Sequence, residues 1–377
     1  MHRQYRIRDY DIKLILMVIA LNAIGVLAIG SAKESVQSKQ LMGLIAGTFI
    51  MVVISFFDYT VILKLQWLMY VANLVLLGLV EFSNMGKDAG GATRWLNIFG
   101  FQFQPSETAK IILILFYAQF IMVHREHLNT FKYIMLCILL LAPPWLLIYF
   151  QPDMSTSIMV AIIFCVVMFV GGVSYKLVGG ILAVVIPAII TVFYLILQPV
   201  ESNILINAGI IKPYHQLRVL AWLHPEEYAN TIAYQQVNSM IAVGSGQLMG
   251  KGYKTNVISS VKNGNFISEP QTDFIFAVIG EEFGFVGCCV VIGLLGLIVL
   301  ECILIARRAK NLAGTIIASG MAALVGFQGF MNISVATGLL PNTGIPLPFV
   351  SYGLTSLLSL YIGMGFVLNV RLQGRKY

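Results

Sequence analysis

Long apolar runs separated by short polar ones dominate the chain, and their length sets the first expectation. A helix needs roughly 20 mostly apolar residues to cross a bilayer. Runs of that kind fall at 12–31, 40–57, 60–81, 106–124, 131–150, 154–172 and 175–198, then at 273–305, 311–338 and 346–370. The pattern predicts an all-α polytopic membrane protein, one integral unit over residues 1–377 with ten spans. The softest boundary is Phe57-Asp58-Tyr59-Thr60, the only break between the second and third runs. The interval 199–272 is too apolar and aromatic for disorder, so it is expected to fold as a long, partly helical loop, with an interfacial helix over 232–248. The N-terminal MHRQYRIRDYDIK is interrupted by acids, and the run behind it is long. That predicts a retained first span rather than a cleaved signal.

Charge then orients the spans. With both termini inside, cytoplasmic segments carry Arg3, Arg6, Arg8, Lys13, Lys64, Arg125, Lys132, Lys176, Arg307, Arg308, Lys310, Arg371, Arg375 and Lys376. The short outer loops carry only Lys33, Lys39, Lys87 and Arg94, and this bias places both termini in the cytoplasm. The loop 199–272, between spans seven and eight, is then extracytoplasmic, as are GGATRWLNIFGFQFQPSE (90–107), YFQPD (149–153) and TGLLPNTGIPLP (337–348). Composition agrees: 58% of residues are hydrophobic, 11% are charged, and mean hydropathy is +0.84. One soluble core cannot hide that much apolar surface. The net charge of +7 flanks the apolar runs, which argues against a nucleic-acid footprint and for contact with lipid headgroups. All five cysteines lie inside apolar runs without a C-x-x-C partner, which reads as small core residues.

Several chemistries drop out. GSGQLMGKG (244–252) lacks phosphate-loop spacing, and Lys251 is followed by Gly252. His124 and His127 lie at a helix end without further ligands nearby, which fits a solvated terminus. Neither G-x-S-x-G nor H-E-x-x-H occurs.

The acids of the outer face are the remaining candidates. Glu107 and Lys110, three apart behind Gln104-Pro105-Ser106, form either a neutralising pair or the mouth of a polar cavity. Asp153, after Gln151-Pro152, reads as a helix cap. Glu281 and Glu282 lie inside the eighth run, so at least one must face a cavity or a cation. Asp273 stands at the threshold of that run, behind Glu269-Pro270-Gln271-Thr272, where Thr272 can cap the first turn. It reads either as an acid answering the helix dipole or as a general base reachable from outside. Lys212, Arg218, Lys251, Lys254 and Lys262 in the long loop suit phosphates or lipid headgroups equally.

Together these motifs resemble the SEDS family (shape, elongation, division and sporulation), which includes RodA, FtsW and SpoVE. The resemblance runs from the first span to the last. It rests on Gly91-Ala92-Thr93-Arg94-Trp95, Gln104-Pro105-Ser106-Glu107 with Lys110, and Gln151-Pro152-Asp153. It continues through Tyr234-Gln235, Asn238-Ser239, Gly244-Ser245-Gly246, Gly250-Lys251-Gly252, Glu269, Thr272-Asp273-Phe274-Ile275-Phe276 and Glu281-Glu282. It ends with Thr337-Gly338, Thr343-Gly344, Leu347-Pro348 and Ser351-Tyr352-Gly353. The Gly250–Tyr253 run and Phe103-Gln104-Pro105-Ser106-Glu107 are most similar to the RodA branch. Three positions depart from the family pattern: Ser268-Glu269-Pro270, Gln271 before Thr272-Asp273, and Leu354 after Ser351-Tyr352-Gly353. The bulk of Leu354 is expected to narrow the site or mark a divergent paralogue.

The resemblance implies a peptidoglycan glycosyltransferase of the bacterial cytoplasmic membrane. It polymerises lipid II at the outer face, partnered by a class B penicillin-binding protein. Asp273 becomes the catalytic base. Arg94, Trp95, Glu107, Lys110, Asp153, Arg218, Lys251 and Glu269 become substrate-binding candidates for lipid II and the undecaprenyl-diphosphate-linked glycan. Positive charge for the leaving diphosphate comes from some of Arg94, Lys110, Arg218 and Lys251, or from a divalent cation such as Mg or Mn. The alternatives are a lipid-precursor flippase or a non-catalytic scaffold for the penicillin-binding protein.

Overall fold

The computed structural model describes residues 10–82, 86–89, 92–98, 101–198, 204–207, 211–255, 260, 264 and 266–374. Gly91, Lys262, Arg3, Arg6, Arg8, Arg375 and Lys376, all used above, lie outside the described residues. The chain is mostly helical. Eight helices are long and apolar enough to cross a membrane: α1 (Ile12–Ala32), α2 (Glu34–Ser55), α5 (Pro105–Val123), α6 (Phe131–Phe150), α8 (Tyr175–Ile196), α12 (Ile275–Arg307), α13 (Leu312–Ala336) and α14 (Leu354–Leu372). Two shorter apolar helices, α4 (Gln66–Phe82) and α7 (Met154–Val170), have 17 residues each. The remaining helices are short: α3 (Tyr59–Leu63), α9 (Ile204–Asn207), α10 (Pro213–Leu223) and α11 (Tyr234–Ser245).

Three details differ from the hydropathy pattern. The run expected at 60–81 is divided into α3 and α4, because Asp58 caps α3 by accepting the Thr60 amide and that helix ends at Leu63. The second helix begins at Glu34 rather than 40, and the last begins at Leu354 rather than 346, since Pro346 and Pro348 cannot donate into a helical ladder. A three-stranded antiparallel sheet, β1 (Gly86–Ala89), β2 (Ala92–Ile98) and β3 (Phe101–Phe103), carries the Arg94-Trp95 motif in order β1-β2-β3, a feature outside the all-α expectation.

The chain divides into two compact units. The first comprises residues 1–173, 290–329 and 345–377. Within it, α14 packs closely on α2, and Gly47 makes the approach possible: a Cβ there would sit 2.2 Å from the Tyr361 ring. Buried Tyr361 accepts a hydrogen bond from Asn22 on α1 at 2.9 Å. Asn369 on α14 donates to the Ser55 carbonyl and accepts from the Tyr59 amide, sewing the α2–α3 corner to the last helix. Helix α6 contains Pro143 and Pro144. Pro144 has no N–H for the Leu140 carbonyl, and the Tyr70 hydroxyl of α4 supplies the missing donor at 2.8 Å.

The second unit comprises residues 174–289 and 330–344. A small core of Ala242, Ile267, Phe274, Ala277 and Val335 joins α11, the start of α12 and the end of α13. Helix α11 matches the helix expected over 232–248. Side chains from α10 and α11 satisfy the carbonyls at and beyond the end of α13. Gln236 donates to Val335 and Leu340, Ser239 to Ala336, and the Trp222 indole to Gly338.

The α2–α14 seam generates a prediction. Gly47→Ala should destabilise the protein by about 1–3 kcal/mol, because the Tyr361 ring cannot retreat from a buried seam. Gly293→Ala, whose Cβ meets nothing within 4 Å, should be near neutral. Thermal unfolding of both variants in detergent checks this; equal midpoints would refute the close packing.

Candidate functional site

In the first unit, Pro105 occupies the first turn of α5 and Glu107 follows it, as dipole and capping preferences dictate. Glu107 and Lys110 are 4% and 3% exposed, and their charges meet at 2.8 Å. Lys110 also donates to Gln328 of α13 at 3.0 Å, and Gln328 donates to the Pro346 carbonyl. The pair is thus a neutralised junction joining α5, α13 and the segment before α14. Gln328 was missed in the sequence, although a lone Gln in an apolar run is itself a signal.

Asp153 caps α7 by accepting the Thr156 amide at 3.2 Å, the role expected from its position. Its carboxylate also accepts from Gln104 and Ser106, each at 3.3 Å. Arg94 on β2 reaches the same corner. It donates to the Gln151 and Pro152 carbonyls and stands 4.0 Å from Asp153. Trp95, its neighbour, is partly exposed. Arg94, Gln104, Ser106 and Asp153 therefore form one polar cluster around the Gln-Pro-Asp turn. Leu354 lies at the α2 seam, where a Cβ on Gly43 would come 2.9 Å from its side chain, so its bulk packs over a glycine.

In the second unit, Asp273 sits in the turn immediately before α12 and is partly exposed. Three features hold it. Phe274, the next residue, is buried in the small core. Asn332 of α13 donates to the Asp273 carbonyl at 2.7 Å. Gly344 lies against the carboxylate: a Cβ on it would stand 3.4 Å from Asp273 Oδ2, and its φ of +72° favours glycine. Neither Asn332 nor Gly344 was assigned a role from sequence, and the first carries the same signal as Gln328. Glu269 is exposed, at a positive φ of 54°, and accepts from the Gln271 amide. The Thr272 hydroxyl, expected to cap the helix, donates back to the Glu269 carbonyl at 2.8 Å and tightens the turn.

Two cations expected at the substrate have protein partners. Arg218 donates to the Asn342 carbonyl at 2.9 Å and lies 4.4 Å over the Tyr214 ring. Lys251 meets Glu281 at 2.7 Å, so of the two alternatives expected for the buried acids, a cavity or a cation, Glu281 has the cation. Among the described residues, no group of three or more His, Cys, Asp or Glu gathers to hold a metal, so the donor set for Mg or Mn is not assembled there.

Comparison with known proteins now bears on these positions. The chain matches the FtsW/RodA/SpoVE family of cell cycle proteins over residues 11–376. It belongs to that family. It is 34% identical over 364 residues to the peptidoglycan glycosyltransferase MrdB of Escherichia coli K12, covering 96% of this chain and 93% of the relative. It is 30% identical over 387 residues to the probable peptidoglycan glycosyltransferase FtsW of Trichlorobacter lovleyi, covering 98% and 95%. The fold superposes on the crystal structure of the rod shape determining protein RodA of Thermus thermophilus with a TM-score of 0.68, at 28% identity and 98% coverage of each chain. A chain from a peptidoglycan synthase complex that coordinates polymerisation and crosslinking gives 0.77, at 29% identity over 96% of this chain and 97% of that one.

The Glu107–Lys110 junction makes a prediction for this FtsW/RodA/SpoVE member. Lys110→Met leaves a buried carboxylate uncompensated and should cost about 3–5 kcal/mol. Adding Glu107→Gln should recover most of it. A double variant no more heat-stable than the single one, measured in detergent, would rule out the neutralising role.

Proposed function

We propose that this FtsW/RodA/SpoVE member polymerises lipid II into glycan strands at the outer face of the bacterial cytoplasmic membrane. It is a peptidoglycan glycosyltransferase. Ten spans carry the activity: the eight long helices plus α4 and α7, whose 17 residues are just enough to cross. Both termini lie in the cytoplasm, and the segment 199–272 lies outside. A class B penicillin-binding protein is the partner. The polymerase–crosslinker assembly of a similar chain supports that pairing.

The observation that carries the mechanism is Asp273: a partly exposed carboxylate at a helix threshold, backbone-anchored by Asn332 and faced by a bare glycine. Asp273 accepts the proton of the acceptor sugar's 4-hydroxyl. The oxygen attacks the anomeric carbon of the growing glycan with inversion, and the bond to undecaprenyl diphosphate breaks as that group departs. Gly344 leaves room for the hydroxyl to approach Oδ2. In the first unit, Arg94 and Trp95 are the partly exposed candidates for contact with sugar or diphosphate, whereas Asp153, Glu107 and Lys110 are buried and hold that unit's polar cluster and junction in place. Arg218 and Glu269 line the approach in the second.

Asp273→Asn should lower lipid II polymerisation by about 10²- to 10⁴-fold, the worth of general-base help. Expression and partner binding should be unchanged. Purified protein with its penicillin-binding protein and labelled lipid II provides the assay. Normal polymer from the Asn variant would sink the base assignment, and lipid movement across liposomes without glycan growth would favour a flippase.

A further inference from the structure

Helix α12 is interrupted at its tenth residue. Gly284 has φ 64° and ψ −161°, so the helical ladder breaks there. A continuous helix would bond the Phe285 and Val286 amides to the Glu281 and Glu282 carbonyls. Instead, the segment 247–252 is inserted at the break. The amides of Lys251 and Gly252 donate to the Glu281 and Glu282 carbonyls at 2.9 and 3.0 Å. The amides of Phe285 and Val286 donate to the Gln247 and Leu248 carbonyls at 2.8 and 3.2 Å. Four cross-bonds thus replace two helical ones.

Glycines make the insertion possible. A Cβ on Gly246 would lie 1.9 Å from the Gly280 carbonyl oxygen, and one on Gly250 would lie 2.2 Å from that of Glu282. One on Gly284 would lie 2.3 Å from the Gly250 nitrogen. The contact is backbone on backbone, which leaves little freedom for sliding.

One charge pair fastens it. Glu281 is 3% exposed and Lys251 reaches it at 2.7 Å from the inserted segment. Without that cation, a buried carboxylate beside the break would lose its 2.7 Å ion pair. The helical piece that Glu281 helps to hold, 275–283, is the one that begins two residues after Asp273.

We propose that Lys251 is a positioning residue for the glycosyl transfer. Its ion pair with Glu281 seats segment 247–252 in the α12 break, and so fixes the short helical piece that presents Asp273. The inference rests on Asp273 as the base, and it assigns Lys251 a task other than holding the diphosphate. A displacement of about 1 Å at a reacting group costs on the order of 10²-fold in rate, so loosening this seat should act on kcat.

The test uses the full chain with its penicillin-binding protein and lipid II, in purified form and in isolated membranes. Lys251→Gln should lower kcat at least about tenfold with KM for lipid II nearly unchanged. The exchanged pair Lys251→Glu with Glu281→Lys should restore kcat to within a few-fold of the native chain. The exchanged pair keeps the junction neutral and so serves where the single variant fails to fold. Full activity in Lys251→Gln overturns the proposal. So does an exchanged pair that is folded yet inactive or raised in KM, the result expected if Lys251 binds diphosphate directly. Asp273→Asn is assayed alongside: activity there removes the base reading, whereas a dead Asp273→Asn beside a fully active Lys251→Gln removes the positioning role alone.

Discussion

Hydrocarbon offers no hydrogen bonds, so a polar group carried into it must find its partner within the protein. That constraint shapes the bundle. A double proline in α6 frees the Leu140 carbonyl, and a tyrosine on the adjacent α4 is aimed at it. Asn22, Asn369 and Gln328 lie in apolar helices, and each bridges to another element. Charge obeys the same rule more strictly, since an isolated ion in lipid costs far more than an isolated amide. Glu107 and Glu281 are each buried, and each is met by a lysine within 2.8 Å.

The rule also explains why the irregular backbone is so closely complemented. The break in α12 would strand two carbonyls and two amides inside an apolar helix, and the segment 247–252 of the preceding loop answers all four. The carbonyls at the end of α13 and beyond it meet Gln236, Ser239 and Trp222 from the same loop. The loop is therefore a structural complement to two helices, through Trp222, Gln236, Ser239 and Lys251 among its side chains. The turn at 269–273 carries an exposed Glu269 and a partly exposed Asp273, the latter with its backbone tied to α13.

The family assignment and these contacts reinforce one another. Each unit holds its own polar group beside apolar helices: the Arg94–Asp153 cluster in the first and the 269–273 turn in the second. Leu354, which departs from the family pattern, packs over Gly43, so its bulk is absorbed at a helix seam.

Much of this was legible in the chain itself. Hydropathy runs located the helices, because burial in lipid demands long apolar segments whatever their neighbours are. Pro105 and Asp153 announced their helix starts, since capping depends on residues a few positions apart. Asp273 stood out as an acid at the edge of an apolar run, and the depth of Glu281 and Glu282 required that at least one face a cavity or a cation. The cation that answers Glu281, the break at Gly284, the sheet that carries Arg94 and the glycine facing Asp273 were settled only by tertiary structure. Each joins residues distant in sequence or depends on backbone geometry that no local pattern encodes. Local sequence fixes which groups need partners; only the packed chain determines which partners come within reach.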